Sequence, residues 1–196
     1  MTSPHAPKTA AFFDVDGTLV KRDSLLPFIA YCVGWPRALV TFVKALLRPL
    51  PRQADLKGAV KAAWLINALA GVPLATAEAA ARRVTKWRVW KEPAYSALLK
   101  HQRDGATIII ATGALSLYVP YLLEGLPMDV VMATEMEVVE GKLTGRMTDG
   151  NCVRTEKARR VNAYLKTHGP FSRTYGYGNA PSDLPMLALL DETLVI

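Results

Sequence analysis

The chain has 196 residues, 51% of them apolar, two cysteines and a net charge of +7. That length buries a full core in one domain, or in one domain with an insertion. It holds no membrane span, because the nearest apolar run, Leu25 to Leu47, is interrupted by Pro27, Gly34, Pro36, Arg37 and Lys44. Residues 1–9 lack the charged start and apolar stretch of a secretory leader. Cys32 and Cys152 show no ligand or redox spacing, which predicts reduced, buried thiols in a cytoplasmic protein. The charge is concentrated: Lys21 to Glu92 carries 13 basic and 4 acidic residues, the remainder 11 and 13. No zinc spacing, RNA-binding signature or aromatic-interleaved basic stripe accompanies it, so nucleic acid is not an expected partner.

Residues 10–14 (AAFFD) read as a buried strand entering a loop at Gly17. From Ser24 to about Trp90 the pattern is helical, and Pro36, Pro49-Leu50-Pro51 and Gly71-Val72-Pro73 divide it into helices over 24–34, 37–48, 54–70 and 76–90. Pro93 to Gln102 reads as a helix. Ala106 to Ala111 (ATIIIA), without polar alternation, reads as a parallel strand buried on both faces. A helix over Leu115–Leu123 and a strand over Asp129–Ala133 follow. Glu137 to Thr144 alternates around Gly141 as a β-hairpin. Arg154–Lys166 is a predicted helix, Arg173–Tyr177 a strand, Asp183–Leu190 a helix and Thr193–Ile196 a last strand, inside which the chain stops, as a piece of a longer protein would. The expected fold is α/β: a doubly wound parallel sheet (residues 1–20 and 91–196), an all-helical insertion (21–90) and a small hairpin.

Chemistry gathers where predicted strands end. Asp14-Val15-Asp16-Gly17-Thr18 puts two carboxylates into the crevice at a strand's carboxyl end. One can attack phosphorus while the other gives a proton to the leaving oxygen and later takes one from water. A polar turn is the plain alternative for such a sequence. Thr112-Gly113 ends the second strand with a hydroxyl and a flexible amide suited to phosphate, or with a helix cap. Lys157 lies near a helix start, where the dipole disfavours a cation unless it faces an anion. Tyr177-Gly178-Asn179-Ala180-Pro181-Ser182-Asp183 offers the hard oxygen ligands of Mg²⁺, although Asp183 could cap its helix.

In this order, the four elements resemble the four motifs of the haloacid dehalogenase (HAD) superfamily, over Phe12 to Ile196. The helical insertion after the first motif is similar to the cap of subfamily IB, which includes phosphoserine phosphatases and phosphatidylglycerophosphate phosphatases. The resemblance implies a Mg²⁺-dependent phosphatase working through an aspartyl-phosphate. Asp14 would be nucleophile and metal ligand, and Asp16 general acid and base, with its carbonyl on the metal. Thr112 and Gly113 would bind the phosphoryl group, Lys157 would neutralise charge, and Asn179 and Asp183 would complete the metal site. Asn179 stands where the family has an aspartate, which predicts weaker metal binding.

The expected substrate is a phosphorylated small molecule or a lipid phosphate. Arg37, Lys44 and Arg48 share one face of a predicted helix that is otherwise largely apolar. That face reads either as a solvated basic rim or as a peripheral membrane contact through a basic cap. A soluble phosphoserine-like substrate, and a catalytically silent binding module, remain as alternatives.

Overall fold

The computed structural model describes residues 8–49 and 56–196. Its main sheet has five parallel strands in the order β3-β2-β1-β6-β7: β1 Thr9–Phe13, β2 Thr107–Leu115, β3 Val130–Thr134, β6 Arg173–Gly178 and β7 Glu192–Val195. β1 is central because four of its five residues (AAFF of TAAFF) are apolar and buried on both sides of the pleat. Ala10 and Phe12 meet Val161 and Tyr164 of α7 (Arg154–His168) and Met186 and Leu187 of α8 (Leu184–Leu187). Ala11 and Phe13 belong to the core on the other face, with Leu98 of α5 (Ala94–Arg103) and the helical insertion. Helices therefore cover both faces of a parallel sheet, as the alternating pattern required.

Between β1 and α5 lie α1 (Leu25–Val33), α2 (Trp35–Leu46), α3 (Leu56–Leu69), α4 (Leu74–Val84) and a 3-10 turn at Thr85–Trp87. The 3-10 turn replaces the last part of the helix expected over 76–90. Residues 50–51 of the expected break, and the first two residues of the helix expected from 54, lie outside the described residues.

Two other helices are shorter than expected. β2 runs on to Leu115, because Leu115 still pairs with Thr134 of β3 beyond an irregularity after Ala111. α6 is only Val119–Leu122, with Pro120 in its first turn. α8 likewise covers four residues with Pro185 near its start, since proline suits a helix's first turn and not its interior.

The hairpin of β4 (Met136–Val139) and β5 (Lys142–Met147) fastens the helical insertion to the sheet module. Gly71 N–H donates to Leu143 O (2.8 Å), Leu143 N–H to Val72 O (2.9 Å), and Leu74 N–H to Gly141 O (2.9 Å). Gly145, at φ +81°, allows the contact with α3, since a Cβ there would lie 2.5 Å from Ile66 Cα. No helix among the described residues is long and apolar enough to cross a membrane.

Candidate active site

The register of three strands decides where the polar residues emerge. Phe13 of β1 lies level with Ile110 of β2 and with Tyr177 of β6. Asp14 follows at once, and Thr112 and Asn179 each come two residues past those partners. All three thus leave the sheet at the same carboxyl edge, with Asp14 N–H tied to Tyr177 O (3.0 Å). There they line a cleft of about 300 Å³ together with Asp16, Gly113 and Lys157. Of the seven residues singled out by sequence, Asp183 alone does not line it.

Asp14 is 5% exposed. Its Oδ1 accepts from Lys157 Nζ (2.8 Å) and its Oδ2 from the Thr18 hydroxyl (3.1 Å). Lys157 is 1% exposed, and its cation does face an anion. Its ammonium also donates to Asp183 Oδ1, whose other oxygen accepts from Asn179 N–H (2.8 Å). Asp183 precedes α8, but its side chain makes no capping bond to that helix. Burial pulls the Lys157 ammonium down, and the Asp14 and Asp183 carboxylates outweigh it and hold the lysine above its usual value. Burial, then Asp14, pushes the Asp183 carboxyl upward against Lys157. Two buried carboxylates thus share one buried ammonium, an excess of negative charge that favours a further cation.

Asp16 has a different environment. Its carboxylate accepts from Ser24 N–H (3.1 Å) and the Ser24 hydroxyl (2.9 Å), which also lies 3.0 Å from the buried Tyr118 hydroxyl. Burial first, then Asp23, pushes the Asp16 carboxyl well above the usual range, against these hydrogen bonds and with a further push from Asp14. A paired carboxylate beside a raised carboxyl is the division that nucleophilic and general-acid roles need.

The metal corner can be tested on distance. Asn179 Nδ2 donates to Asp16 O at 2.9 Å, while the Ser182 hydroxyl donates to Asn179 Oδ1 (2.9 Å). Turning the amide over presents its oxygen to the same corner, and the Ser182 hydroxyl can then accept. Adjacent oxygens of octahedral Mg²⁺ at about 2.0–2.1 Å are separated by about 2.9 Å. The 2.9 Å spacing of the Asp16 carbonyl and the Asn179 side chain matches that separation, and the Asp14 carboxylate lines the same cleft. No group of three or more His, Cys, Asp or Glu side chains among the described residues forms a metal cage. An oxygen site that shares its ion with water and a phosphate needs none. Gly17, at φ +79°, makes this approach feasible, since a Cβ there would lie 2.9 Å from Asn179 Nδ2.

Thr112 is no helix cap: it lies within β2, and its hydroxyl accepts from Ala114 N–H (3.1 Å). The Gly113 carbonyl accepts from Thr134 Oγ1 (3.0 Å) and from Lys61 of α3. Lys61 was not anticipated from sequence. It reaches out of the helical insertion onto the sheet module, donating also to Asn151 Oδ1 (2.6 Å), and both acceptors are neutral. Burial lowers its ammonium to about 8, although Asp16 and Asp23 hold it up. A signal was present in α3: Trp64, Leu65 and Ala68, at i+3, i+4 and i+7, are all buried, so Lys61 sits in the core-facing register. Ser24, Tyr118 and Asn151 were missed for lack of any local pattern. Lys57, Arg154 and Asp23 also line the cleft, which is rich in cations.

A family model described as haloacid dehalogenase-like hydrolase matches residues 11–188. Protein CicA of Caulobacter vibrioides is 29% identical over 206 residues, covering 96% of this chain and 85% of that protein. A phosphoserine phosphatase of Streptomyces coelicolor is 27% identical over 176 residues, covering 89% of this chain and 40% of its own. Among solved structures, a phospho-aspartyl intermediate analogue of phosphoserine phosphatase superposes with a TM-score of 0.65 at 18% identity. It covers 97% of this chain and 87% of that one, a likeness of fold.

Proposed function

The chain belongs to the haloacid dehalogenase-like hydrolase family, and we propose that it hydrolyses a phosphomonoester through a phosphorylated Asp14, with Mg²⁺ as cofactor. The observation that carries this reading is the pairing of Asp14 with Lys157, beside a raised Asp16, in one cleft at the end of the central strand. Relatives named as phosphatases favour the same reaction.

An Asp14 carboxylate oxygen attacks phosphorus, forming a new P–O bond as the bond to the leaving oxygen breaks. Asp16, carrying its proton, gives it to that leaving oxygen, so an alcohol departs. Water then attacks phosphorus as Asp16 takes its proton, the P–O bond to Asp14 breaks, and phosphate leaves with Asp14 restored. Lys157 and Thr112 lie where they would neutralise and orient the phosphoryl oxygens. Asp14, the Asp16 carbonyl and Asn179 would hold Mg²⁺, with Asp183 acting behind them through Lys157 and the Asn179 backbone N–H. The ion supplies positive charge that draws phosphate and carboxylate together.

Lys57, Lys61 and Arg154 around a cleft of about 300 Å³ favour a small, polar, anionic substrate. The helical insertion then acts as a cap, with Lys61 as its contact to the leaving group. A lipid phosphate is the second reading, favoured by the outward apolar residues of α2. A panel of soluble phosphometabolites and phospholipids, assayed with Mg²⁺ and with chelator, tests both. Beryllium fluoride should add to Asp14. Absence of turnover on every member, or an adduct on another residue, overturns the proposal.

A further inference from the structure

We propose that α2 docks this protein on an anionic phospholipid surface. An ordinary surface helix buries its large apolar residues. Apart from Phe42, half-buried against Trp64 of α3, α2 does the reverse. Its buried residues are Ala38, Thr41 and Ala45, packed on α3, where Trp64 Nε1 donates to Ala38 O (3.1 Å). Trp35, Leu39, Val40, Val43, Leu46 and, just past the helix, Leu47 face outward, the last of them 78% exposed.

At 3.6 residues per turn these six side chains fall on one continuous arc of about 140°. Lys44 and Arg37 fall together on the neighbouring arc, Arg48 follows two residues past the helix, and the buried residues with Phe42 occupy the rest. One exposed leucine needs no explanation, but an unbroken arc of six large apolar residues does.

Charge selects the occupant. No acidic residue occurs between Ser24 and Ala54, so the cationic row has no counter-charge along this helix. A second copy meeting this face through a two-fold axis would bring the same cations together. An apolar protein patch would cover the arc and leave the cations unused. An anionic membrane satisfies both sectors: the arc enters the boundary of the acyl region while the headgroups take the cations at its edge. This docking does not rest on the phosphatase chemistry.

The test is co-sedimentation of the full chain with phosphatidylcholine vesicles, with and without phosphatidylglycerol. The chain should pellet only with the anionic vesicles at low salt and be released at high salt. Arg37→Gln/Lys44→Gln/Arg48→Gln should weaken binding by about a hundredfold. Leu39→Ser/Val43→Ser/Leu47→Ser should weaken it on a similar scale, with an unchanged circular dichroism spectrum because these side chains are exposed. Turnover of a small aryl phosphate should persist in both variants, since neither touches the cleft. The proposal is overturned if the parent stays in the supernatant at low salt or binds neutral and anionic vesicles equally. It is also overturned if sedimentation velocity shows a dimer that the serine variant dissociates.

Discussion

The carboxyl edge of the sheet and the outer face of α2 treat unfavourable surface in opposite ways. At the edge, Asp14, Lys157 and Asp183 are almost wholly buried, and their paired oxygens and ammonium hydrogens bind one another or Thr18 and Asn179. Charge removed from water is stable there because the fold supplies partners. In α2 the large apolar side chains other than Phe42 have no such cover, and the small ones take the packed seam against α3 with it. The first region pairs its buried groups within the chain and leaves a net negative charge for a cation, whereas the apolar arc of the second has no partner within the chain. Substitutions at the edge should therefore change catalysis or stability, whereas substitutions on α2 should change only where the protein resides.

The largest expected effect is at Asp14. Asp14→Asn keeps the volume and the contact with Thr18 but removes the attacking charge, so turnover should fall by about three orders of magnitude or more. The circular dichroism spectrum should not change. Activity near the parent's in this variant would remove the covalent step. Lys157→Met should be nearly as damaging to the rate and, unlike Asp14→Asn, should also destabilise the fold. It leaves two buried carboxylates facing each other, a loss of about 3–5 kcal/mol when one partner of a buried pair is removed. Adding Asp183→Asn should recover part of the thermal stability by removing the surplus charge. A double variant no more stable than Lys157→Met would show that the cluster's charge balance does not control stability.

These effects were legible because the edge residues sit in short motifs directly after strands, where chain order alone implies proximity. Asp14, Asp16, Thr112, Gly113, Lys157 and Asn179 come together at one cleft for that reason. The sheet was legible because its apolar runs match strands buried on both faces. Lys61, Asn151, Ser24 and Tyr118 depend on how the helical insertion sits over the sheet, and that depends on the hairpin meeting α3 at Gly145. No periodicity reports such a contact. In α2, the periodicity revealed distinct faces but not which one the rest of the chain would bury. The ends of β2, α6 and α8 were misjudged because strand pairing and prolines overrode the apolar pattern.

Lys61 joins the helical insertion to the sheet edge, and its effects should be intermediate. Lys61→Met should raise KM for an anionic substrate by about tenfold to a hundredfold, the scale of a charge-assisted hydrogen bond, with a smaller change in kcat. Its folded-state value of about 8 lies below the usual lysine value. The buried ammonium therefore costs stability below pH 8, and that cost is relieved as pH rises from about 8 towards the unfolded lysine value. Binding should run the other way. KM of the parent should climb above pH 8 as Lys61 loses its proton, and Lys61→Met should lack that limb. An identical pH profile in the two proteins would exclude Lys61 from substrate binding.

The smallest and most local effect is expected at Asn179. Its side-chain nitrogen donates to the Asp16 carbonyl at 2.9 Å, so without metal the corner is held by a neutral hydrogen bond. Asn179→Asp removes that donor and places a carboxylate against a carbonyl, near Asp14 and Asp183. Without Mg²⁺ the variant should melt lower, by the cost of an unsatisfied charged acceptor, about 1–3 kcal/mol. With Mg²⁺ the added negative charge becomes a ligand, so affinity should tighten and the rise in Tm on adding metal should exceed the parent's. A thermal melt across a Mg²⁺ titration separates the two states. If the variant melts lower in both, with no gain in metal affinity, Asn179 is a structural hydrogen-bond donor to the Asp16 loop and the third protein ligand must come from elsewhere, with Asp183 the nearest carboxylate along the chain.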